Sequence, residues 1–248
     1  MLLYDLSVKR KGIAMDVNKK IFVSDYDQTF YLNDEDIEKN KIAINEFRKK
    51  GNIFVIATGR SYFDFQNKVD EYNLNYDYVI INHGATILDK NNNILINFPI
   101  KNEIIPHIKN DLQLEKSIKG FCCSELESRV DFNHKSLTKI NVRYNSKEEA
   151  MKINDNINAK YFEFVNSYYV TINSLEIISN KTNKSKAIDL LINKLKLSRE
   201  NVYTIGDGYS DIEMVKNFNG YAMKKSVDEL KKVAKKEYGS VSELINEI

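Results

Sequence analysis

Short apolar runs that stop abruptly at polar turns constrain this chain more than any other feature. Ile21-Phe22-Val23-Ser24, Ile53-Phe54-Val55-Ile56-Ala57 and Tyr78-Val79-Ile80-Ile81 are too short for core helices and rich in β-branched residues. Such runs read as strands of a parallel sheet, buried on both faces. Between the first two, Ile37, Ile42, Ala43, Ile44 and Phe47 predict a helix over 36–50, with Gly51 as its stop. A second helix is expected over 61–72. Strand, helix, strand, helix, strand implies an α/β fold, a parallel sheet wrapped by helices.

The rhythm changes after Gly84. Ala85–Leu88 and Ile94–Asn97 flank Asp89-Lys90-Asn91-Asn92-Asn93, a hairpin signal. A helix is expected within about 101–114, starting late if Pro106 is not to bend it. Strand-like segments follow at 118–122, 137–144, 160–165, 168–172 and 175–178, with a helix near 147–157. Alternation as in Lys139-Ile140-Asn141-Val142-Arg143 predicts an antiparallel sheet covered on one face, with Asn141 and Arg143 on the open one. From about 183 the first rhythm returns, with a helix through 187–195, a strand at 202–205, a helix at 211–217, a short strand at 221–223 and two terminal helices. The expected organisation is a Rossmann-like parallel-sheet core of residues 15–84 and 180–248, interrupted by an α+β cap of residues 85–179. Residues 1–14 precede Met15 and are expected to be an extension outside the site.

Composition excludes classes without naming a function. Thirty-seven basic and thirty-five acidic residues leave a net charge of +2, which gives no general attraction to nucleic acid or anionic membrane. No stretch approaches the roughly 20 apolar residues of a membrane span, and the basic amino end lacks the apolar region of a secretory signal. Cys122 and Cys123 are adjacent, which suits a reducing compartment, so a cytoplasmic protein is expected.

The chemistry-bearing residues fall at the ends of the core strands, where α/β sheets gather their ligands. Asp25 and Asp27 follow the first strand; one carboxylate could attack while the other manages a proton, although a solvated acidic loop would look the same. Thr58-Gly59-Arg60 follows the second strand and offers a hydroxyl and turn amides to a phosphate, or simply a helix cap. Lys181, Lys184 and Lys186 precede the helix that resumes the core, and any of them could pair with a carboxylate and a phosphate. Gly206-Asp207-Gly208-Tyr209-Ser210-Asp211 places two carboxylates at a strand end and a helix start, where they suit a hard cation or a cap. Four such signals in one order have no ordinary structural explanation.

Together these segments resemble the haloacid dehalogenase-like hydrolases, specifically Cof-like phosphatases with a large inserted cap. Asp25-Tyr26-Asp27-Gln28-Thr29 matches the motif that supplies nucleophile and acid/base, and Ala57-Thr58-Gly59-Arg60 the phosphate-binding motif. Lys184-Ser185-Lys186-Ala187-Ile188 matches the lysine motif, singling out Lys184, and Gly206 to Asp211 matches the metal motif. The family often has Gly where Gln28 stands and Asn where His83 and Ser210 stand.

The resemblance implies Mg²⁺ held by Asp25, the carbonyl of Asp27 and Asp207, with Asp211 as a ligand or behind the ligands. Asp25 and Asp27 would be catalytic, and Thr58, Gly59, Lys184 and Ser210 would contact phosphate. Arg60, His83, Asn141 and Arg143 are candidate substrate contacts. The implied reaction is hydrolysis of a small-molecule phosphate ester, such as a sugar phosphate, through an aspartyl-phosphate. The alternatives are a sugar phosphomutase and a non-catalytic sugar-phosphate sensor. Substrate identity and oligomeric state are not legible.

Overall fold

The computed structural model describes residues 19–171 and 173–248; the expected extension 1–14 lies outside them. The core opens with β1 (Ile21–Ser24), every residue of which is buried. Helix α1 (Asp34–Lys49) starts earlier than its apolar spacing suggests, because the Asn33 side chain accepts from the amides of Glu35 and Asp36. Acidic residues fill its first turn and Arg48 and Lys49 its last, in accord with the helix dipole. Next come β2 (Ile53–Ala57), α2 (Tyr62–Tyr72) capped by Ser61, and β3 (Tyr78–Ile81), with β1–β2 and β2–β3 parallel as expected.

The hairpin formed by β4 (Thr86–Asp89) and β5 (Ile94–Asn97) departs from the expected organisation. It pairs antiparallel with β3 and extends the core sheet instead of opening the inserted block. The physical reason is apolar cover: Ile87 is buried among Val55, Ile80, Ala187 and Ile188 of the core.

The inserted block follows. A 3₁₀ turn leads into α3 (Ile105–Asp111), which places Pro106 in the first turn, where its missing N–H is harmless. Then come β6 (Ser117–Cys123), β7 (Ser128–Val130), β8 (Lys139–Tyr144), α4 (Lys147–Tyr161), β9 (Val165–Thr171) and β10 (Ser174–Ser179). The strands form a second, antiparallel sheet in the order β7-β6-β8-β10-β9. Ile140, Val142, Leu175 and Ile177 pack with Ile108, Ile153 and Ile157 of α3 and α4, leaving Lys139, Asn141 and Arg143 on the other face. The strand expected at 160–165 is instead the end of α4 and a turn, in which Phe164 N donates to Tyr161 O. Strand β7 was not anticipated, since three residues are too few to show alternation. Cys122 and Cys123 are both buried and unbridged.

The chain re-enters the core with α5 (Lys184–Leu195), β11 (Val202–Gly206), α6 (Ile212–Asn217), β12 (Asn219–Met223), α7 (Asp228–Lys231), β13 (Glu237–Tyr238) and α8 (Val241–Ile245). The core sheet runs β13-β12-β11-β1-β2-β3-β4-β5. Alternation along β1 sends Phe22 into one helical layer, with Phe47 and Leu244, and Val23 into the other, with Leu191 and Met214. Strand order reverses between β11 and β1, the place where open α/β sheets bind ligands. Among the described residues no helix is long and apolar enough to cross a membrane.

The hairpin's place in the core sets a stability test by urea unfolding. Ile87, fully buried, should cost about 2–5 kcal/mol when replaced by Ala. Ile94, at the exposed start of β5, should cost no more than about 0.5 kcal/mol. Equal effects would contradict the packing.

Candidate active site

Asp25 directly follows β1, and its amide donates to Ile205 O at 3.0 Å, which prolongs the β1–β11 ladder by one residue. That bond fixes the carboxylate at the carboxyl edge of the sheet, where it is 7% exposed. Lys184, the first residue of α5, is buried beneath it. Its Nζ donates to Asp25 Oδ1 at 2.5 Å and to Asp211 Oδ1 at 2.6 Å. Of the three lysines the sequence offers here, Lys181 and Lys186 are exposed, and Lys186 Nζ turns back to Asn180 O. Position therefore selects Lys184.

Asp211 is 1% exposed, and its second oxygen accepts the amides of Asp207 (3.1 Å) and Gly208 (3.0 Å). This close seat requires glycine at 206, where a Cβ would stand 2.5 Å from Asp211 Cβ. Asp207 accepts from Thr29 Oγ1 at 2.7 Å. Oxygens of Asp25, Asp207 and Asp211 lie within 4.8 Å of one another. Three carboxylates thus face one ammonium. Burial pushes the Asp25 carboxyl well up; Lys184 opposes this, and Asp211 and Asp207 add to it. Burial, reinforced by Asp211, raises Asp207 to about 6. Lys184 is held charged, because its two carboxylates outweigh the burial that disfavours its charge.

Asp27 sits apart from this group. Its half-exposed carboxylate is gripped by Arg60, with Nε to Oδ2 at 2.9 Å and Nη2 to Oδ1 at 2.6 Å. Gln28 adopts φ +59°, a left-handed conformation in which glycine is unstrained, in keeping with the residue the family often has there. Thr58 is fully buried, and its Oγ1 accepts from Arg60 N at 3.1 Å. Ser210 lies half-buried in the 3₁₀ turn Tyr209–Asp211.

The open face of the second sheet meets this edge. His83, on the core side, approaches Glu176 Oε2 of β10 through Nε2 at 2.5 Å. Asn141 Nδ2 donates to Glu176 Oε1 at 2.9 Å, whereas Arg143 remains exposed and donates to Asn173 Oδ1 at 3.1 Å. Of the cap candidates, Asn141 and His83 thus join the seam, and Arg143 stands outside it. Sequence reasoning missed Thr29, Glu176 and Lys139, whose Nζ reaches Gly59 O at 2.6 Å. The last two carried a usable signal, because Lys139 shares the strand face of Asn141, and Glu176 interrupts the buried residues Leu175 and Ile177.

The chain is similar to known proteins over most of its length. The haloacid dehalogenase-like hydrolase family model matches residues 22–135 and 124–244. A protein of Mycoplasma capricolum of uncharacterised function is 32% identical over 75% of this chain and 82% of its own. The 5-amino-6-(5-phospho-D-ribitylamino)uracil phosphatase YcsE of Bacillus subtilis is 28% identical over 92% of each chain. A haloacid dehalogenase-like hydrolase of B. subtilis shares the fold at TM-score 0.82 and 16% identity, over 92% of this chain and 99% of that one. Two chain segments that converge on Asp25 through Lys184, and a family match spanning both, lead to one conclusion: the chain belongs to the haloacid dehalogenase-like hydrolase family.

Proposed function

We propose that this phosphoric monoester hydrolase passes the phosphoryl group of a small phosphate ester first to Asp25 and then to water, with Mg²⁺ as its cation. The observation that carries the reading is the buried Lys184 bridging Asp25 and Asp211 at the switch point of the sheet. The donor set fits the cation. Three crowded carboxylates exceed one ammonium, and their oxygens suit a hard dication. Asp25 and Asp207, with the main chain of Asp27, are the best placed to hold it. Asp211 already spends both oxygens on Lys184 and two amides, so it fits behind them. When bound, the cation offsets the charge of the phosphate and of the carboxylates around it.

The chain's own groups do the rest. Lys184 aligns the Asp25 carboxylate for attack on phosphorus, which gives an aspartyl-phosphate and expels the alcohol. Asp27 protonates the departing oxygen and later takes a proton from the water that cleaves the intermediate. For this, Arg60 must release one of the two Asp27 oxygens it now holds. Thr58 Oγ1 accepts from Arg60 N, so its own proton is free to donate to a phosphoryl oxygen, with Gly59 N–H beside it. Ser210 completes the proposed phosphate contacts. The inserted block, residues 85–179 less the hairpin, closes over the site as a cap that excludes water. Its polar face suits a hydroxyl-bearing leaving group, as the ribityl phosphate relative also suggests.

Replacing the two motif carboxylates separates their roles. Asp25→Asn should lower turnover of every phosphate ester on the order of 10⁴-fold or more. Asp27→Asn should give a burst of nitrophenol from p-nitrophenyl phosphate, whose leaving group needs no proton, but little reaction with a sugar phosphate. Substantial activity in Asp25→Asn would exchange the assignments.

The cation is tested by thermal melting as well as by turnover. The Asp207 pKa rises from 3.8 to about 6 on folding, so ionising it costs stability as pH climbs through that window. A bound dication removes that cost. Mg²⁺ should therefore raise Tm at pH 7.5, and the rise should shrink as pH falls through about 6, where protons compete. EDTA should abolish turnover; full activity in EDTA would end the metal reading.

A further inference from the structure

The turn Thr58-Gly59-Arg60 presents three successive carbonyls, and they are satisfied from two different places. Thr58 O accepts from His83 N at 3.0 Å and Arg60 O from Asn82 N at 2.9 Å, both bonds internal to the core. Gly59 O, between them, accepts from Lys139 Nζ at 2.6 Å, and Lys139 belongs to β8 of the second sheet. The peptide that carries Gly59 O carries Arg60 N–H at its other end. That N–H donates to Thr58 Oγ1 at 3.1 Å. An ammonium on the carbonyl side polarises the amide and strengthens its N–H as a donor. With a Thr58 lone pair engaged in this way, the hydroxyl keeps its proton to donate elsewhere.

Lys139 is itself held firmly. It is 2% exposed, and Glu176 Oε1 accepts from its Nζ at 2.9 Å. Burial works against its charge, but Glu176 more than offsets this and keeps it an ammonium. Burial works against the charge of Glu176, but Lys139, seconded by His83, holds its carboxyl well below the usual range; Glu176 also accepts from Asn141 Nδ2. The His83 ring in turn lies on Gly59, where an added Cβ would stand 2.4 Å from Cε1. A fully buried charge from one sheet is thus aimed, through a fixed carboxylate, at a single carbonyl of the phosphate turn of the other.

We propose that Lys139 is a positioning residue for phosphoryl transfer: seated across the seam, it fixes the Gly59–Arg60 peptide and thereby aims the Thr58 hydroxyl at the transferring group. The phosphate turn is then fully assembled only with the second sheet in place. The proposal rests on the phosphatase reading above.

The test uses the full chain with Mg²⁺ and compares wild type with Lys139→Met and Lys139→Arg. Steady-state turnover of p-nitrophenyl phosphate is measured together with inhibition by vanadate, which mimics the transition state, and by inorganic phosphate. Lys139→Met should lower kcat about 10- to 100-fold, move KM less than about threefold and weaken vanadate by about the same factor as kcat. Phosphate inhibition should change little. Lys139→Arg, which can still donate to Gly59 O, should recover most of the loss. A Lys139 that merely joins the sheets would lower Tm in the Met variant but leave kcat per folded molecule and vanadate inhibition at wild-type values; that overturns the proposal. Should Lys139→Met fail to fold, Glu176→Gln loosens the lysine without removing it, and the same joint fall in kcat and vanadate affinity is expected. Unchanged values there overturn the proposal equally. A wild-type protein that turns over no phosphate ester would defeat the phosphatase reading and this proposal together, whereas an active wild type with an indifferent Lys139→Met defeats the proposal alone.

Discussion

One buried ammonium organises this molecule. Lys184 Nζ lies between Asp25 and Asp211, at 2.5 and 2.6 Å, with almost no access to water. A charge so placed is tolerable only when paired, and removing either partner would strand the other charges in a poorly solvated site. The pair therefore ties three separated parts of the chain: the end of β1, the start of α5 and the turn after β11. It also bridges the insertion, since Asp25 precedes the second sheet in sequence and Lys184 follows it. The glycine at 206 belongs to the same constraint, because only a residue without Cβ lets Asp211 approach closely enough to receive the lysine.

The arrangement is deliberately out of balance in charge. One lysine answers three carboxylates, and burial pushes the Asp25 and Asp207 carboxyls up against the pull of Lys184. Further positive charge at this edge would favour the ionised carboxylates. Thr29 gives Asp207 one hydrogen bond and the Asp207 and Gly208 amides support Asp211, which orients the carboxylates without neutralising them. Asp27 lies outside this crowd, on the rim, where Arg60 holds it. Two aspartates two residues apart therefore occupy different electrostatic environments.

The second sheet shows how a polar face can be buried against a neighbour. Lys139, Asn141 and Glu176 are sheet residues that would ordinarily face water, yet here they meet the core edge. Glu176 accepts from Lys139 and Asn141 and pairs with His83 Nε2, while His83 Nδ1 is buried without a partner. The opposite face of the same strands is apolar and closes on α3 and α4. One sheet thus has a dry side that folds the insertion and a polar side that docks it.

Much of this was legible in the residues. Parallel strands buried on both faces appear as unbroken apolar runs, which is why β1, β2, β3 and β11 stand out, and with them the polar turns at their ends. Asp25, Thr58, Asp207 and Asp211 were picked out as candidates by that logic, since a turn after such a strand lies at the ligand edge whatever the rest of the chain does. The hairpin, the end of α4 and β7 were misplaced or unseen, because an alternating or very short strand records that one face is covered but not by what. Seating Lys184 between Asp25 and Asp211, separating Asp27 from the acidic cluster and bringing Lys139 to Gly59 required the tertiary structure. Local sequence fixes which way a side chain points relative to its own strand or helix; which charge it then meets depends on how distant elements pack, and that is decided only when the two sheets come together.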